Sequence, residues 1–302
     1  AAVIHAPGKI SCDTTPDPIL KESTDVILRV TATAICGSDL HIFSGGFPPQ
    51  KPLILGHEFM GIVEDVGHSV QHLKKGDRVV VPFPVSCGTC FFCNSQLPVH
   101  CENSNPEHYG PEGGVIKEKG GGLFGYTHLY GGYDGGQAQY VRVPYADIGP
   151  RKVPEHLTDE QVLFLTDIFP TGYTGVDWAN IQGGETVVVF GAGPVGIMTA
   201  KSAWLRNAKR VIIVDTLPYR LQKAALTANC ETILWENDAD DVVEMIRQMT
   251  QGRGADVCID AVGFEPERNL LDRAKAVINL EKGSIKVLEA CMSAVRRGGI
   301  VS

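Results

Sequence analysis

The chain has 302 residues, which fits two domains at about 150 residues each. Apolar residues make up 43% and charged residues 21%, a globular balance that excludes a disordered tail or a disulfide-stapled mini-protein. With 27 basic against 35 acidic side chains the formal charge is -8; no Lys/Arg-rich run offsets it on one face, so neither nucleic acid nor an anionic membrane is an expected partner. The longest apolar stretch, Val187 to Ala200, is interrupted by glycine and proline within Gly191-Ala-Gly-Pro-Val-Gly196 and falls short of the roughly 18 residues of a membrane span. The first eight residues carry no secretory signal pattern, which makes the cytoplasm the expected location. Nine cysteines, four of them within fifteen residues, favour metal binding over a disulfide framework and fit a reducing compartment.

From Asp25 to about Pro144 the apolar runs are short, rich in Val and Ile, and cut by turn residues: Val26–Thr31, Gly61–Val66, Arg78–Val81 and Ala138–Val143. This punctuation predicts an antiparallel, barrel-like half. Within it, Glu102 to Gly136 holds eleven glycines with Tyr109, Tyr126, Tyr130 and Tyr133 interleaved, the composition of a long functional loop. After Pro154 strands and helices alternate. Strands are predicted at Thr186–Phe190, Val211–Asp215, Thr232–Leu234 and Asp256–Asp260, and helices near Pro194–Arg206, Pro218–Ala228, Asp241–Met249 and Ser284–Arg297. Alternation of this kind predicts a parallel, doubly wound sheet. The final residues, Arg296-Arg-Gly-Gly-Ile-Val-Ser302, read as a helix end, a glycine stop and the first residues of a buried strand, so a continuation of the sheet is expected beyond them.

Three constellations carry chemistry. Gly191-Ala-Gly-Pro-Val-Gly196 follows a predicted strand and opens a helix, and Asp215 lies nineteen residues beyond the last glycine, at the end of the next strand. The glycines permit a tight turn and close approach of backbone N–H groups to a pyrophosphate. The helix N-terminus supplies positive potential, and Asp215 can accept from a ribose 2′-hydroxyl. Its carboxylate favours NAD over NADP, and Arg220 moderates that preference by turning toward a phosphate or stacking on adenine. Gly193, Pro194, Val195 and Val262 complete the expected cofactor contacts. Cys87, Cys90, Cys93 and Cys101 follow the spacing Cx2Cx2Cx7C, in which four thiolates close a tetrahedral shell with no position for substrate: structural zinc, with an iron–sulfur cluster as the alternative. The third set is dispersed: Cys36-Gly-Ser-Asp-Leu-His41, Gly56-His57-Glu58 and Asp167 in Leu165-Thr-Asp-Ile-Phe-Pro. Taken singly, Cys36 reads equally as a small hydrophobe, His57 as a core histidine and Asp167 as a helix cap.

Taken in order, these motifs, together with Gly135-Gly-Gln-Ala-Gln-Tyr-Val-Arg-Val-Pro144, resemble the zinc-containing medium-chain alcohol dehydrogenases. The similarity is greatest to the formaldehyde dehydrogenase-like branch, because Asp167 stands where many relatives carry a cysteine and Val262-Gly263-Phe-Glu265 follows the fourth strand of the alternating half. The resemblance implies a GroES-like catalytic domain over residues 1–154 and a Rossmann-like dinucleotide-binding domain over 155–302. It implies two zinc ions, a catalytic one held by Cys36, His57 and Asp167 with Glu58 behind it and a structural one in the cysteine lobe. It further implies NAD as cofactor, a small alcohol or aldehyde as substrate, a homo-oligomer, and a proton path from the substrate oxygen through Ser38 and the cofactor ribose to His41 and water. The chain departs from the family at Gly37, where many relatives place a cation or an imidazole near the pyrophosphate. It departs again at its C-terminal end, which is shorter than theirs. The rival readings are a non-catalytic zinc- and nucleotide-binding protein and a lyase or isomerase using zinc as a Lewis acid.

Overall fold

A computed structural model describes residues 1–46, 49–105, 120–236, 239–263 and 285–302. Two compact units meet at Asp167: Ala1–Asp167 and Ile168–Ser302.

The first unit is antiparallel. Its main sheet holds β3 (Val26–Thr33), β5 (Phe59–Val66), β6 (Arg78–Val81), β9 (Tyr140–Val143) and β10 (Arg151–Lys152) in the order β10-β6-β5-β3-β9. A second sheet orders β1 (Ala2–Ala6), β2 (Lys9–Cys12) and β4 (Leu53–Ile54) as β2-β1-β4, and β7 (Pro84–Val85) pairs with β8 (Gly122–Leu123). The period-2 pattern puts Val26, Leu28, Phe59, Val63, Val79, Val81, Val141 and Val143 into one core. That pattern is why four of these strands were visible in the sequence. Helix α1 (Gly37–Ser44) and the short helices α2 (Phe91–Asn94) and α3 (Asp159–Val162) decorate the sheets. Residues 155–167 stay with this unit although the sequence pattern groups them with the alternating half. Val162 and Leu163 bury against Met60 and Val80, Arg78 pairs with Asp159 at 3.0 Å, and Phe83 N–H donates to the Thr166 carbonyl at 3.1 Å.

The second unit starts with α4 (Ile168–Trp178) and continues as β11 (Thr186–Phe190), α5 (Pro194–Leu205), β12 (Arg210–Asp215), α6 (Pro218–Ala228), β13 (Glu231–Leu234), α7 (Ala239–Met249), β14 (Ala255–Asp260), α8 (Lys286–Ala294) and β15 (Val295–Val301). The strands form one parallel sheet in the order β13-β12-β11-β14-β15. Each face carries its own apolar cluster, one centred on Val187, Val189, Ile213 and Ala200, the other on Val188, Phe190, Ile212 and Ile246. Burial on both sides is why β11, β12 and β14 read as nearly continuous apolar runs.

The last predicted helix is corrected. Ser284 lies outside the described residues, and the helix ends at Ala294, not Arg297. Val295 is already extended and pairs with Ala255. Arg296 Nε donates to Asp256 Oδ1 on the neighbouring strand at 2.6 Å. Of the predicted loop 102–136, residues 106–119 lie outside the described set, as does the Phe264-Glu265 half of the motif that follows β14.

One buried ion pair ties the first sheet together. Asp25 is fully buried; its Oδ2 accepts from Arg142 Nη1 and from the Lys21 and Glu22 N–H groups, all at 2.9 Å. Breaking such a pair strands a charge in a low-dielectric interior. Arg142→Met is therefore expected to cost about 3 kcal/mol in denaturant unfolding, and a midpoint unchanged from the parent protein would contradict it.

Candidate functional site

Cys36 caps the start of helix α1; its backbone is extended (φ -95°, ψ 163°) and its N–H donates to Asp39 Oδ2 at 2.8 Å. An acidic side chain three residues into a helix commonly returns to the cap in this way. Asp39 is 3% exposed. Its other oxygen lies 3.6 Å from His57 Nδ1, and Gln137 Nε2 donates to Oδ2 at 3.3 Å. One carboxylate thus fixes the backbone of Cys36 and the ring of His57 together. The sequence reading passed over Asp39, although its place three residues after Cys36 was the available signal.

His57 is 1% exposed, and its Nε2 lies 3.3 Å from Asp167 Oδ2. Neither ring nitrogen makes a hydrogen bond. Burial works against the charged imidazolium, yet the adjoining Asp167, Asp39 and Cys36 raise the pKa of His57 to about 12. The site is therefore rich in negative charge and asks for a cation. Cys36, His57 and Glu58 bring ligand atoms within 4.8 Å of one another, and Glu58 is 2% exposed. Of the expected set, Cys36 and His57 stand in this trio and Asp167 reaches it through His57, while Glu58, expected behind the metal, lies among the ligand atoms. Buried imidazole nitrogens lacking hydrogen-bond partners, a thiol and carboxylates form a donor set that fits zinc. Ser38 follows two residues after Cys36, with its Oγ 3.9 Å from Cys36 Sγ; His41 lies one turn further along α1 and is half-buried.

The cysteine lobe is a separate cluster. Cys87, Cys90, Cys93 and Cys101 hold their sulfurs within 4.8 Å of one another, with Cys87–Cys93 at 4.0 Å and Cys90–Cys101 at 3.9 Å. A tetrahedron with Zn–S bonds of about 2.3 Å has edges of about 3.8 Å, so the spacing fits a closed zinc shell. Burial opposes ionisation of Cys87, but donation from the Thr89 N–H, the Thr89 hydroxyl and the Cys90 N–H lowers its pKa to about 6. Asn103 Nδ2 donates to the same sulfur at 3.3 Å. Burial and the neighbouring thiols push Cys93 up to about 12, the effect of crowding sulfurs with no cation between them.

In the second unit the strand β11 ends at the glycine turn. Gly191 has φ +101°, and a Cβ on Gly196 would lie 1.9 Å from the Gly191 carbonyl oxygen. These two glycines are demanded by the turn and by its packing. At Gly193, the residue capping α5 ahead of Pro194 at the first helical position, a Cβ would meet nothing within 4 Å. No protein contact requires glycine there, which fits a ligand's approach to the backbone. Val195 lies in the first turn of α5. Asp215, 8% exposed, accepts from Ala192 N–H at 2.7 Å and from Leu217 N–H at 2.9 Å. It holds the glycine turn while keeping lone pairs for a further donor. Arg220 Nη1 lies 3.9 Å from Asp215 Oδ2, and its guanidinium lies 6.0 Å from the Tyr219 ring centroid. Val262 follows β14, its N–H donating to Asp260 Oδ1 at 3.0 Å.

Because Asp39 orients both Cys36 and His57, Asp39→Ala is expected to weaken metal binding at that cluster about 10–100-fold and to leave the cysteine lobe loaded. Competition with a chromogenic chelator measures this, and an unchanged affinity would contradict it.

The sequence and the fold both match known proteins. Residues 22–155 match the alcohol dehydrogenase GroES-like domain and residues 194–278 the zinc-binding dehydrogenase domain. The chain is 44% identical over 289 residues to the zinc-type alcohol dehydrogenase-like protein AdhB of Bacillus subtilis strain 168, covering 95% of this chain and 73% of that one. It is 41% identical over 244 residues to a glutathione-independent formaldehyde dehydrogenase of the same organism, covering 80% of this chain and 56% of that one. Among solved structures, alcohol dehydrogenase TADH from Thermus sp. ATN1 superposes with a TM-score of 0.83 at 32% identity, over 100% of this chain and 76% of that one. A zinc-binding dehydrogenase from Sinorhizobium meliloti 1021 bound to NADP superposes with a TM-score of 0.77 at 26% identity, over 100% and 75%. The chain belongs to the zinc-type medium-chain alcohol dehydrogenases, a family of oxidoreductases built from a GroES-like and a Rossmann-like domain.

Proposed function

We propose that the protein is a zinc-dependent dehydrogenase that moves a hydride between a small alcohol or hydrated aldehyde and NAD, with the first unit, Ala1–Asp167, as catalytic domain and the second, Ile168–Ser302, as cofactor domain. The observation that carries this reading is the buried His57, its two nitrogens without hydrogen-bond partners, among Cys36, Glu58, Asp39 and Asp167. A zinc ion held by Cys36, His57 and Asp167 would supply Lewis acidity toward a substrate oxygen. Two relatives named as formaldehyde or alcohol dehydrogenases support the substrate class.

The chain's own residues account for the remaining chemistry. Asp39 holds the His57 ring and the Cys36 backbone in register, so the ligand set is preorganised. Ser38 accepts the proton that leaves the substrate hydroxyl, and His41, further along the same helix, hands it to water. Glu58, buried with its carboxylate among the ligand atoms, adds negative charge to the set and would be able to exchange with the other ligands. Cys87, Cys90, Cys93 and Cys101 would hold a second, structural zinc, since four thiolates fill a tetrahedral shell. In the other unit Gly191, Gly193 and Gly196 admit the pyrophosphate, and Asp215 accepts from the ribose diol. A 2′-phosphate would face the Asp215 carboxylate, and Arg220 already leans toward that carboxylate, so NAD is the cofactor we assign.

The test is absorbance of the reduced nicotinamide with zinc-loaded protein, a panel of short alcohols and aldehydes, and NAD or NADP. Substrate-dependent reduction with NAD preferred is expected, and Asp215→Ser should narrow the gap between the cofactors. No reduction with any member of the panel would overturn the dehydrogenase reading; equal affinity for both cofactors in the parent protein would remove the role given to Asp215.

A further inference from the structure

Gln137, in the motif Gly135-Gly-Gln-Ala138, touches both of the segments that deliver ligands to the His57 cluster. Its backbone lies against the approach to His57: Gln137 N–H donates to the Leu55 carbonyl at 2.9 Å, and Gly136 N–H to the Gly56 carbonyl at 2.7 Å. A Cβ on Gly56 would lie 2.5 Å from Gln137 Cγ and 2.6 Å from the Gln137 nitrogen. The glycine before His57 thus makes room for the glutamine stem. At its far end, Gln137 Nε2 donates to the Ala34 carbonyl at 3.4 Å, just ahead of Cys36, and to Asp39 Oδ2 at 3.3 Å. An amide end that meets two acceptors is the NH2 end, since a carbonyl oxygen could bond neither.

Asp39 Oδ2 also accepts from Cys36 N–H at 2.8 Å. Two donors on one oxygen fix the plane of the carboxylate and with it Oδ1, which lies 3.6 Å from His57 Nδ1. With Nδ1 turned to Asp39, Nε2 is the nitrogen left for a metal. Deprived of the amide, Asp39 keeps one donor and can swing about it. We propose that Gln137 is a positioning residue that sets the Asp39 carboxylate, and through it the His57 ring, for the metal. This rests on the reading of Cys36 and His57 as zinc ligands. It separates two roles for the glutamine: a side chain kept only to fill the space beside Gly56 is replaceable by another of its length, and one that acts through its amide is not.

The experiment is a double-mutant cycle of Gln137→Met and Asp39→Ala. Methionine keeps the unbranched stem and loses the amide. The first readout is zinc affinity at the His57 cluster, by competition with a chromogenic chelator on protein whose cysteine lobe is already loaded. The second is cadmium NMR of cadmium-loaded protein, in which the mixed ligand set and the four thiolates give separate lines. Gln137→Met should weaken zinc binding at His57 roughly ten-fold, the lower end of what outer contacts to a ligand are worth, and move the mixed-ligand line while the four-thiolate line stays. Asp39→Ala should lose at least as much, and the double variant no more than Asp39→Ala alone, because the amide acts through the aspartate. Losses that multiply in the double variant would overturn the proposal, as would a Gln137→Met protein with the parent's affinity and an unmoved line. If Gln137→Met also disturbs the four-thiolate line, the fold has been damaged, and Gln137→Ala takes its place in the cycle. A parent that holds zinc at His57 but reduces no cofactor fails the dehydrogenase reading while the cycle still decides the role of Gln137. A parent that takes no metal there overturns both.

Discussion

The first unit is organised around one electrostatic demand. An imidazole, a thiol and carboxylates from Asp39, Glu58 and Asp167 crowd together, with His57, Asp39 and Glu58 buried and Cys36 and Asp167 half-buried, and both nitrogens of the imidazole lack hydrogen-bond partners. Buried ionisable groups in that number are tolerated only when paired with opposite charge. Without a cation the histidine must itself carry the positive charge, which is what its raised pKa expresses. A zinc ion would replace that proton and turn a costly cluster into a ligand set. The same logic operates in the cysteine lobe, where backbone and side-chain donors stabilise the Cys87 thiolate while burial, with the crowding of Cys90 and Cys101, raises the pKa of Cys93.

Meeting this demand requires four stretches of chain to converge, and backbone contacts enforce the convergence. Cys36 is fixed by the start of α1, and His57 and Glu58 by the entry to β5. Asp167 is held at the end of the segment that Arg78 and Phe83 tie back to the first sheet. The glycine contacts between 125, 135–137 and 54–56 bring a fourth stretch against His57. No single element carries the site, and a change in any of the four would move ligand atoms relative to one another.

Legibility in the sequence follows from the range of the interactions involved. Strands β11, β12 and β14 were readable because burial on both faces leaves apolar runs such as Val187-Val-Val-Phe190. The glycine turn and the cysteine lobe were readable because each is built within one short segment. Cys36, His57 and Asp167 are far apart in the chain, and only the family resemblance joined them. Asp39 was hidden in plain view, since its cap to Cys36 is local while its approach to His57 is not. The end of the last helix was misplaced because Val295 and Arg296 are taken up by the neighbouring strand, Val295 pairing with Ala255 and Arg296 with Asp256. The place of residues 155–167 depends on contacts of Val162 and Leu163 with strands about a hundred residues earlier in the chain, which no local pattern reports.

The most direct measurement is diffraction from crystals of the zinc-loaded protein collected on both sides of the zinc absorption edge. The account predicts an anomalous peak among Cys87, Cys90, Cys93 and Cys101 and a second peak within bonding distance of His57 Nε2 and Cys36 Sγ. A chain that takes zinc only into the cysteine lobe, leaving the His57 nitrogens without a metal, would contradict it.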